Sequence, residues 1–383
     1  MIVGRDALNG QVIGLAVENG MIAALHPIEE HNGEDLPWLA PGFVDLQVNG
    51  WGGHDFNHQD ITEESVLAIA AGMRSQGVRA FLPTLITASI DTICNALSVI
   101  ATARKKHQWL AGMIPGIHVE GPFISPEDGA RGAHPREHVR SPSCEEFDQW
   151  QRASGGIVRL VTLCPKQADA RTFIHHLRNA DCLVSIGHSS AESADIAEAS
   201  RAGAGFSTHL GNGVSQTLPR HPNLIWAQLA NDGLQAMFIA DGHHLDRVTL
   251  TAMLRAKGVQ RSILVSDMVA LAGMPPGRYR QPVGGDVELS AEGRLSMAGT
   301  RMLAGAAKPL SDGVALVAAL EGFNLEDAIT MAAVNPAKVL GLETGLREGA
   351  PADFVAFHWA PGETGLRFCE PASGAEPFTS QQS

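Results

Sequence analysis

The chain has 383 residues, 44% hydrophobic and 18% charged, a globular composition long enough for one large domain and a small one. A net charge of −13 with no Lys/Arg-rich block argues against nucleic acid or an anionic membrane surface as a partner. Five widely spaced cysteines (Cys94, Cys144, Cys164, Cys182, Cys369) without a Cys-x-x-Cys pair argue against a disulfide framework or a cysteine-built zinc site and predict reduced thiols in a cytoplasmic protein. With no secretory-type leader and no run of about 18 apolar residues, no membrane partner is expected.

Residues 2–27 alternate short β-prone runs with turn signals, and Asn19-Gly20 predicts a hairpin. Near the other end, GAPADFVAFH (349–358) reads as a further strand. The two ends together predict a small β-sandwich domain, residues 1–40 with 345–383, closed by a disordered polar tail, EPASGAEPFTSQQS. Between them, residues 41–344 carry eight apolar runs: FVDLQVN (43–49), RAFLPTL (79–85), PGIHVEG (115–121), VRLVTLCP (158–165), LVSIGH (183–188), AGFSTHL (204–210), QAMFIADG (235–242) and SILVSD (262–267). Helix-length segments such as 61–77 and 190–203 separate them. Eight such units predict an α/β fold, a (β/α)₈ barrel of parallel strands. The alternative, a doubly wound open sheet, would more often carry a Gly-rich phosphate loop after its first strand, and this chain has none.

In a barrel of this kind, functional groups collect at the C-terminal ends of the strands. Those ends hold Glu120, His188, His209, Asp241 with His243 and His244, and Asp267. Taken alone, His188 reads as a core histidine and Asp267 equally well as a helix N-cap. Five strand ends delivering carboxylates and imidazoles to one mouth are harder to explain, since burying them together is costly without a metal or specific partners. Two histidines and a glutamate are a known donor set for catalytic zinc with an open position, and imidazole also suits other first-row divalent ions. A carboxylate at Asp267 could accept a proton from water and pass it to a leaving group.

The stretches APGFVDLQVNGWGG, GIHVEGPF, RGAHP, SIGHSSA, STHLGNGV, IADGHHLD, LVSDMVALAG, RMLAG and AAVNPAKVLGL followed by GAPADFV run in order from residue 40 to about 356. In that combination the chain resembles the amidohydrolase superfamily and, within it, the N-acetylglucosamine-6-phosphate deacetylase family. The resemblance implies metal-dependent hydrolysis of an N-acetyl group on an amino-sugar phosphate. By position it makes Glu120, His188 and His209 the ligands of one divalent cation per subunit, zinc first with iron, cobalt or manganese as alternatives. It makes Asp267 the catalytic acid and base, and His244 the group that binds substrate and polarises the carbonyl. His134 matches a sugar contact, and Asn212 and Gly213 a loop whose backbone meets the phosphate. Arg220 matches an arginine supplied across a homodimer interface. Where many relatives carry His-x-His for a second metal, this chain reads Gln47-Val48-Asn49, and neutral amides predict a single cation. Other departures fall on the substrate side: Gly213-Val214 in place of Ala-Met, an unusual 215–223 loop, Ala306, Lys166, Lys308 and a C-terminus that stops short of the family's last strand. They keep open a different N-acyl substrate, such as another acylated amino sugar or an N-acyl amino acid. An inactive barrel used for assembly is the alternative of another class.

Overall fold

Each of the eight apolar runs of the central region becomes a strand, and all eight join one parallel sheet. The computed structural model describes residues 1–29, 35–281 and 285–369. The strands are β1 (Phe43–Val48), β2 (Val78–Ile86), β3 (Ile117–Glu120), β4 (Val158–Leu163), β5 (Leu183–Ile186), β6 (Phe206–Ser207), β7 (Gln235–Ile239) and β8 (Ser262–Val265). Their spatial order is their chain order, each paired in parallel with the next. The ring closes just beyond the strand ends, where Val48 bridges to Met268 and the Asp267 N–H donates to the Gln47 carbonyl at 2.9 Å.

The strands are apolar on both faces because both are covered. Val44, Leu46, Leu82, Leu160, Met237, Ile239, Ile263 and Val265 fill the barrel, and the helix Asn335–Leu340 packs against that set through Ala337 and Leu340. The opposite faces, with Phe43, Phe81, Val119 and Val161, pack against the surrounding helices. Those helices start on sequence-encoded caps: Thr62 before Glu63–Ser75 and Ser89 before Ile90–Lys106 each accept a backbone N–H. The segments 61–77 and 190–203 supply the helices Glu63–Ser75 and Ser193–Ala202.

The expected sandwich from the two termini takes the form of one six-stranded sheet. Its order is Arg367–Phe368, Phe354–His358, Trp38–Pro41, Ile2–Asp6, Val12–Glu18 and Met21–Pro27. The antiparallel pairing of Phe354–His358 with Trp38–Pro41 is what joins the termini. Asn19 and Gly20 both adopt positive φ, 52° and 73°, as a tight hairpin turn requires. The tail 370–383 lies outside the described residues.

Inside the barrel, one residue pair beneath the strand ends, polar side chains replace apolar ones. His118, two residues before Glu120 on the same face of β3, bonds Thr162 Oγ1 at 2.7 Å; Thr162 bonds Thr208 at 2.7 Å, and Thr208 bonds Ser185 at 2.6 Å. Burial pushes the His118 ring down to about 4, so this layer is neutral. At the seam between β1 and β8, the fully buried Asp45 carboxylate accepts the backbone N–H groups of Gln47 and Ser266, both at 3.2 Å through Oδ1. Burial nevertheless pushes that carboxyl up to about 7. An unfolded aspartate titrates near about 4. The folded chain therefore holds an extra proton between roughly pH 4 and 7, and this stabilisation is present below the window and lost as pH rises through it. Denaturant midpoints should fall from pH 5 to pH 8 in the wild type, and less in Asp45→Asn. Parallel pH profiles of the two proteins would contradict the assignment.

Candidate active site

Four of the residues at the strand ends meet in one cavity because the backbone turns each of them inward. Glu120 ends β3, and His188, His209 and Asp267 each stand two residues beyond the ends of β5, β6 and β8. His188, His209 and Asp267 have φ of 45°, 28° and 52°, three of the six non-glycine positive values among the described residues. The left-handed region costs about 1–2 kcal/mol per residue for an ordinary side chain. Its concentration at one set of strand ends marks a place where structure is held against local preference.

Glu120 Oε1 lies 2.8 Å from His209 Nε2 and 3.1 Å from His188 Nε2, and the two imidazole nitrogens are 3.2 Å apart. All three residues are buried. His188 Nδ1 donates to the Ala130 carbonyl at 3.0 Å, so in the neutral ring Nε2 is a lone pair pointing at a carboxylate oxygen and a second imidazole nitrogen. Three electron-rich atoms crowded out of water in this way call for a cation among them. The spacing suits one: tetrahedral ligands at about 2.0–2.1 Å from zinc stand roughly 3.3–3.4 Å apart. Burial alone would raise the Glu120 carboxyl, but the two adjacent rings, when they carry a proton towards it in place of a cation, hold it well below the usual carboxylate range.

The glycines around His188 are part of the same construction. A Cβ on Gly213, whose φ is 59°, would sit 2.9 Å from His188 Nδ1, and one on Gly132 3.0 Å from Cε1. The departure from alanine at position 213 thus lets this loop close directly over a ligand ring.

Both carboxamides at the end of β1 are oriented by carboxylates. Gln47 Nε2 donates to Glu120 Oε2 at 3.0 Å, and Asn49 Nδ2 donates to Asp267 Oδ1 at 2.8 Å. Sequence reading treats this pair only as poor metal ligands. Their i, i+2 spacing, which puts both on one strand face, was the available signal for a role in holding the two carboxylates. Burial first, and then the Glu120 charge, raise the Asp267 carboxyl to about 6, with the Asn49 N–H opposing.

His244 Nδ1 donates to Asp241 Oδ2 at 2.7 Å, and Asp241 Oδ1 accepts the backbone N–H groups of His243 and His244 at 2.8 Å. Burial would raise Asp241, but these bonds from His244 bring it down to about 2. The carboxylate thus fixes the imidazole and leaves Nε2 for the cavity, a positioning role that the sequence did not reveal. His243 is turned away, its Nε2 on the Glu292 carbonyl at 3.2 Å. His134 lies close to the ligand trio, its ring 4.2 Å from that of His188. Its Nδ1 faces Thr87 Oγ1 at 2.8 Å and the Thr87 N–H at 3.4 Å, which makes Nδ1 an acceptor and puts the proton on Nε2. That tautomer makes His134 a hydrogen-bond donor rather than a fourth ligand.

Glu120, His134, His188, His209, Asn212, Gly213, His244 and Asp267 all line one cavity of about 280 Å³. Arg220 does not line it; it is exposed on the 215–223 loop. Lys166 sits outside as well, 3.8 Å from Glu127, and Lys308 packs against Gly293.

Residues 38–373 match the amidohydrolase family. The chain is 31% identical over 322 residues to the N-acetylglucosamine-6-phosphate deacetylase of Bacillus subtilis, covering 83% of this chain and 80% of that protein. It belongs to the N-acetylglucosamine-6-phosphate deacetylase family of the amidohydrolases. The Bos taurus deacetylase of that name is 36% identical over 332 residues, covering 83% of this chain and 78% of that protein. An Escherichia coli O157:H7 N-acetylgalactosamine-6-phosphate deacetylase is 32% identical over 346 residues, covering 89% of each. Among solved structures, a mutant of the Mycobacterium smegmatis deacetylase in complex with N-acetyl-D-glucosamine-6-phosphate superposes with a TM-score of 0.82 at 28% identity, covering 95% of this chain and 94% of that one. Members of this metal-dependent family hydrolyse amide C–N bonds, so the chain is an amidohydrolase. No helix among the described residues is long and apolar enough to cross a membrane.

In this family member, the grip of Gln47 on Glu120 is testable directly. Gln47→Leu should lower affinity for the cation roughly 10- to 100-fold, read by competition with a chromophoric chelator. An unchanged affinity would show that Glu120 is held by other contacts.

Proposed function

We propose that this protein removes the acetyl group of N-acetylglucosamine-6-phosphate, yielding glucosamine-6-phosphate and acetate. The observation that carries this reading is the meeting of Glu120, His188 and His209 within 3.2 Å of one another beside Asp267, in a chain whose relatives bear that activity by name. The cavity is of a size to hold a pyranose ring.

Glu120, His188 and His209 would hold one divalent cation, zinc in our reading. When bound, such an ion polarises a carbonyl oxygen and lowers the pKa of water from about 15.7 towards 7. Asp267, oriented by Asn49, accepts a proton from the water that attacks the acetyl carbon. His244, its ring fixed through Nδ1 by the Asp241 carboxylate, turns Nε2 to the oxygen, where an N–H meets the negative charge that builds there. A well-placed donor of this kind contributes roughly 3–4 kcal/mol. Asp267 then returns its proton to the nitrogen, the C–N bond breaks, and acetate and the free amine leave. His134 Nε2–H is available to a sugar oxygen, and the backbone N–H of Gly213 to the phosphate, while the Asn212 N–H donates to the His209 carbonyl at 2.9 Å and so holds that loop in place. Arg220, exposed and outside its own cavity, suits a residue that serves the phosphate of a partner subunit in a homodimer.

Acetate release from a panel of N-acetylated sugars, with and without 6-phosphate, tests this reading. The wild type should favour the phosphorylated N-acetylhexosamines, lose activity on chelation and regain it with zinc, while Asp267→Asn should fall by at least about 10²–10⁴-fold. Activity confined to unphosphorylated or non-sugar N-acyl compounds would contradict the substrate assignment and leave the hydrolysis in place.

A further inference from the structure

The wall of the cavity facing the phosphate loop carries a carboxylate that none of these roles uses. It belongs to Asp55, on the segment between β1 and the helix Glu63–Ser75. That segment is unusually well fixed for a loop. Gly50–Trp51 and His54–Asp55 pair as a small antiparallel ribbon. Asn57 then clamps it to the end of β2, its Nδ2 donating to the Thr84 carbonyl at 3.1 Å and its Oδ1 accepting the Ile86 N–H at 2.7 Å. Asp55 Oδ1 accepts the backbone N–H of Asn57 at 2.8 Å; the Asn57 carboxamide lies beside the carboxylate as well, and no residue other than Asn57 bonds it among the described residues.

Several other polar groups of the cavity are already committed. Asn57 has spent its carboxamide on the clamp, Asn49 holds Asp267, and Glu120, His188 and His209 form the cation site. A rigid carboxylate on a cavity wall, bonded only by Asn57 among the described residues, keeps lone pairs for an O–H donor. An anion would be repelled there. In the barrel order β1 lies three places from β6 one way and five the other, so its loop and the Asn212–Gly213 loop approach the cavity from facing sides. A sugar phosphate with its anion at the second loop turns the hydroxyl-bearing edge of its ring to the first.

We propose that Asp55 is the residue that reads the ring hydroxyls, accepting a hydrogen bond from one hydroxyl of the N-acetylhexosamine next to the acylamino carbon or at the adjoining C4 position. The assignment rests on the reaction proposed above and deepens it. It bears on a choice that the relatives leave open, since they include deacetylases of both the gluco and the galacto sugar, which differ only in the C4 hydroxyl.

The test compares wild type, Asp55→Ala and Asp55→Asn on N-acetylglucosamine-6-phosphate, its C4 epimer and its 3-deoxy and 4-deoxy analogues. Asp55→Asn keeps an acceptor for the Asn57 N–H, so the loop geometry survives in at least one variant. A charge-assisted hydrogen bond lost from a buried site should raise KM roughly 10- to 100-fold for the intact substrate, with kcat held within a few-fold. For one deoxy analogue, wild type and both variants should then have the same KM, because the hydroxyl that Asp55 binds is absent. Equal losses on every sugar, accompanied by a lower melting temperature in both variants, would overturn the assignment and make Asp55 a purely structural loop residue. So would an unchanged KM throughout. A wild type that releases no acetate from any of the phosphorylated sugars would overturn the reaction itself, a failure visible before any variant is compared.

Discussion

Glu120, His188 and His209 place an ionised oxygen and two imidazole nitrogens within 3.2 Å of one another, out of contact with water. A protein gains nothing from such an arrangement by itself. Desolvating a carboxylate and two lone pairs together is costly, and the hydrogen bond from His188 to the Ala130 carbonyl removes the simplest way of relieving it, a proton on the other ring nitrogen. A divalent cation resolves the conflict, and much of the surrounding structure serves to keep these atoms converged. The left-handed backbone at His188 and His209, the Gln47 N–H on Glu120 and the glycines over the His188 ring all act on this one cluster.

The first barrel strand does more of this work than its apolar appearance suggests. Asp45 ties β1 to β8 through backbone N–H groups, Gln47 orients the Glu120 carboxylate, and Asn49 orients the Asp267 carboxylate. Val44 and Leu46 point into the barrel, and an irregularity in the pairing between Asp45 and Val48 lets the same strand close the ring and deliver two carboxamides to its mouth. Gln47 and Asn49 supply neutral donors at the mouth. They stabilise the ionised form of each neighbouring carboxylate and add no cation site of their own.

The eight strands were legible in the sequence because each is a buried run ended by a glycine or a polar residue, and a parallel barrel leaves few other readings. Glu120, His188, His209 and Asp267 were legible because strand ends are where a barrel exposes function. Other features were not. Asp241 looked like one more acidic strand end, and its service to His244 depends on a turn that brings residues three apart into contact. The His134 tautomer is set by Thr87, which is 47 positions earlier in the chain. Asp55 sits in a Gly-rich segment that reads as a simple turn, and its place on the cavity wall is created by the clamp from Asn57 to the end of β2. Arg220, expected from the resemblance to serve a partner subunit, is exposed and apart from the cavity of its own chain, so a single chain holds no geometry for its role.

The most direct measurement is X-ray absorption at the metal edge of the purified protein loaded with one equivalent of zinc. The structure predicts two imidazole nitrogens and one or two oxygens in the first coordination sphere, with one imidazole scattering contribution lost in each of His188→Ala and His209→Ala. A spectrum with no imidazole contribution, or one unchanged by either substitution, would contradict a cation held at the converging ends of β3, β5 and β6.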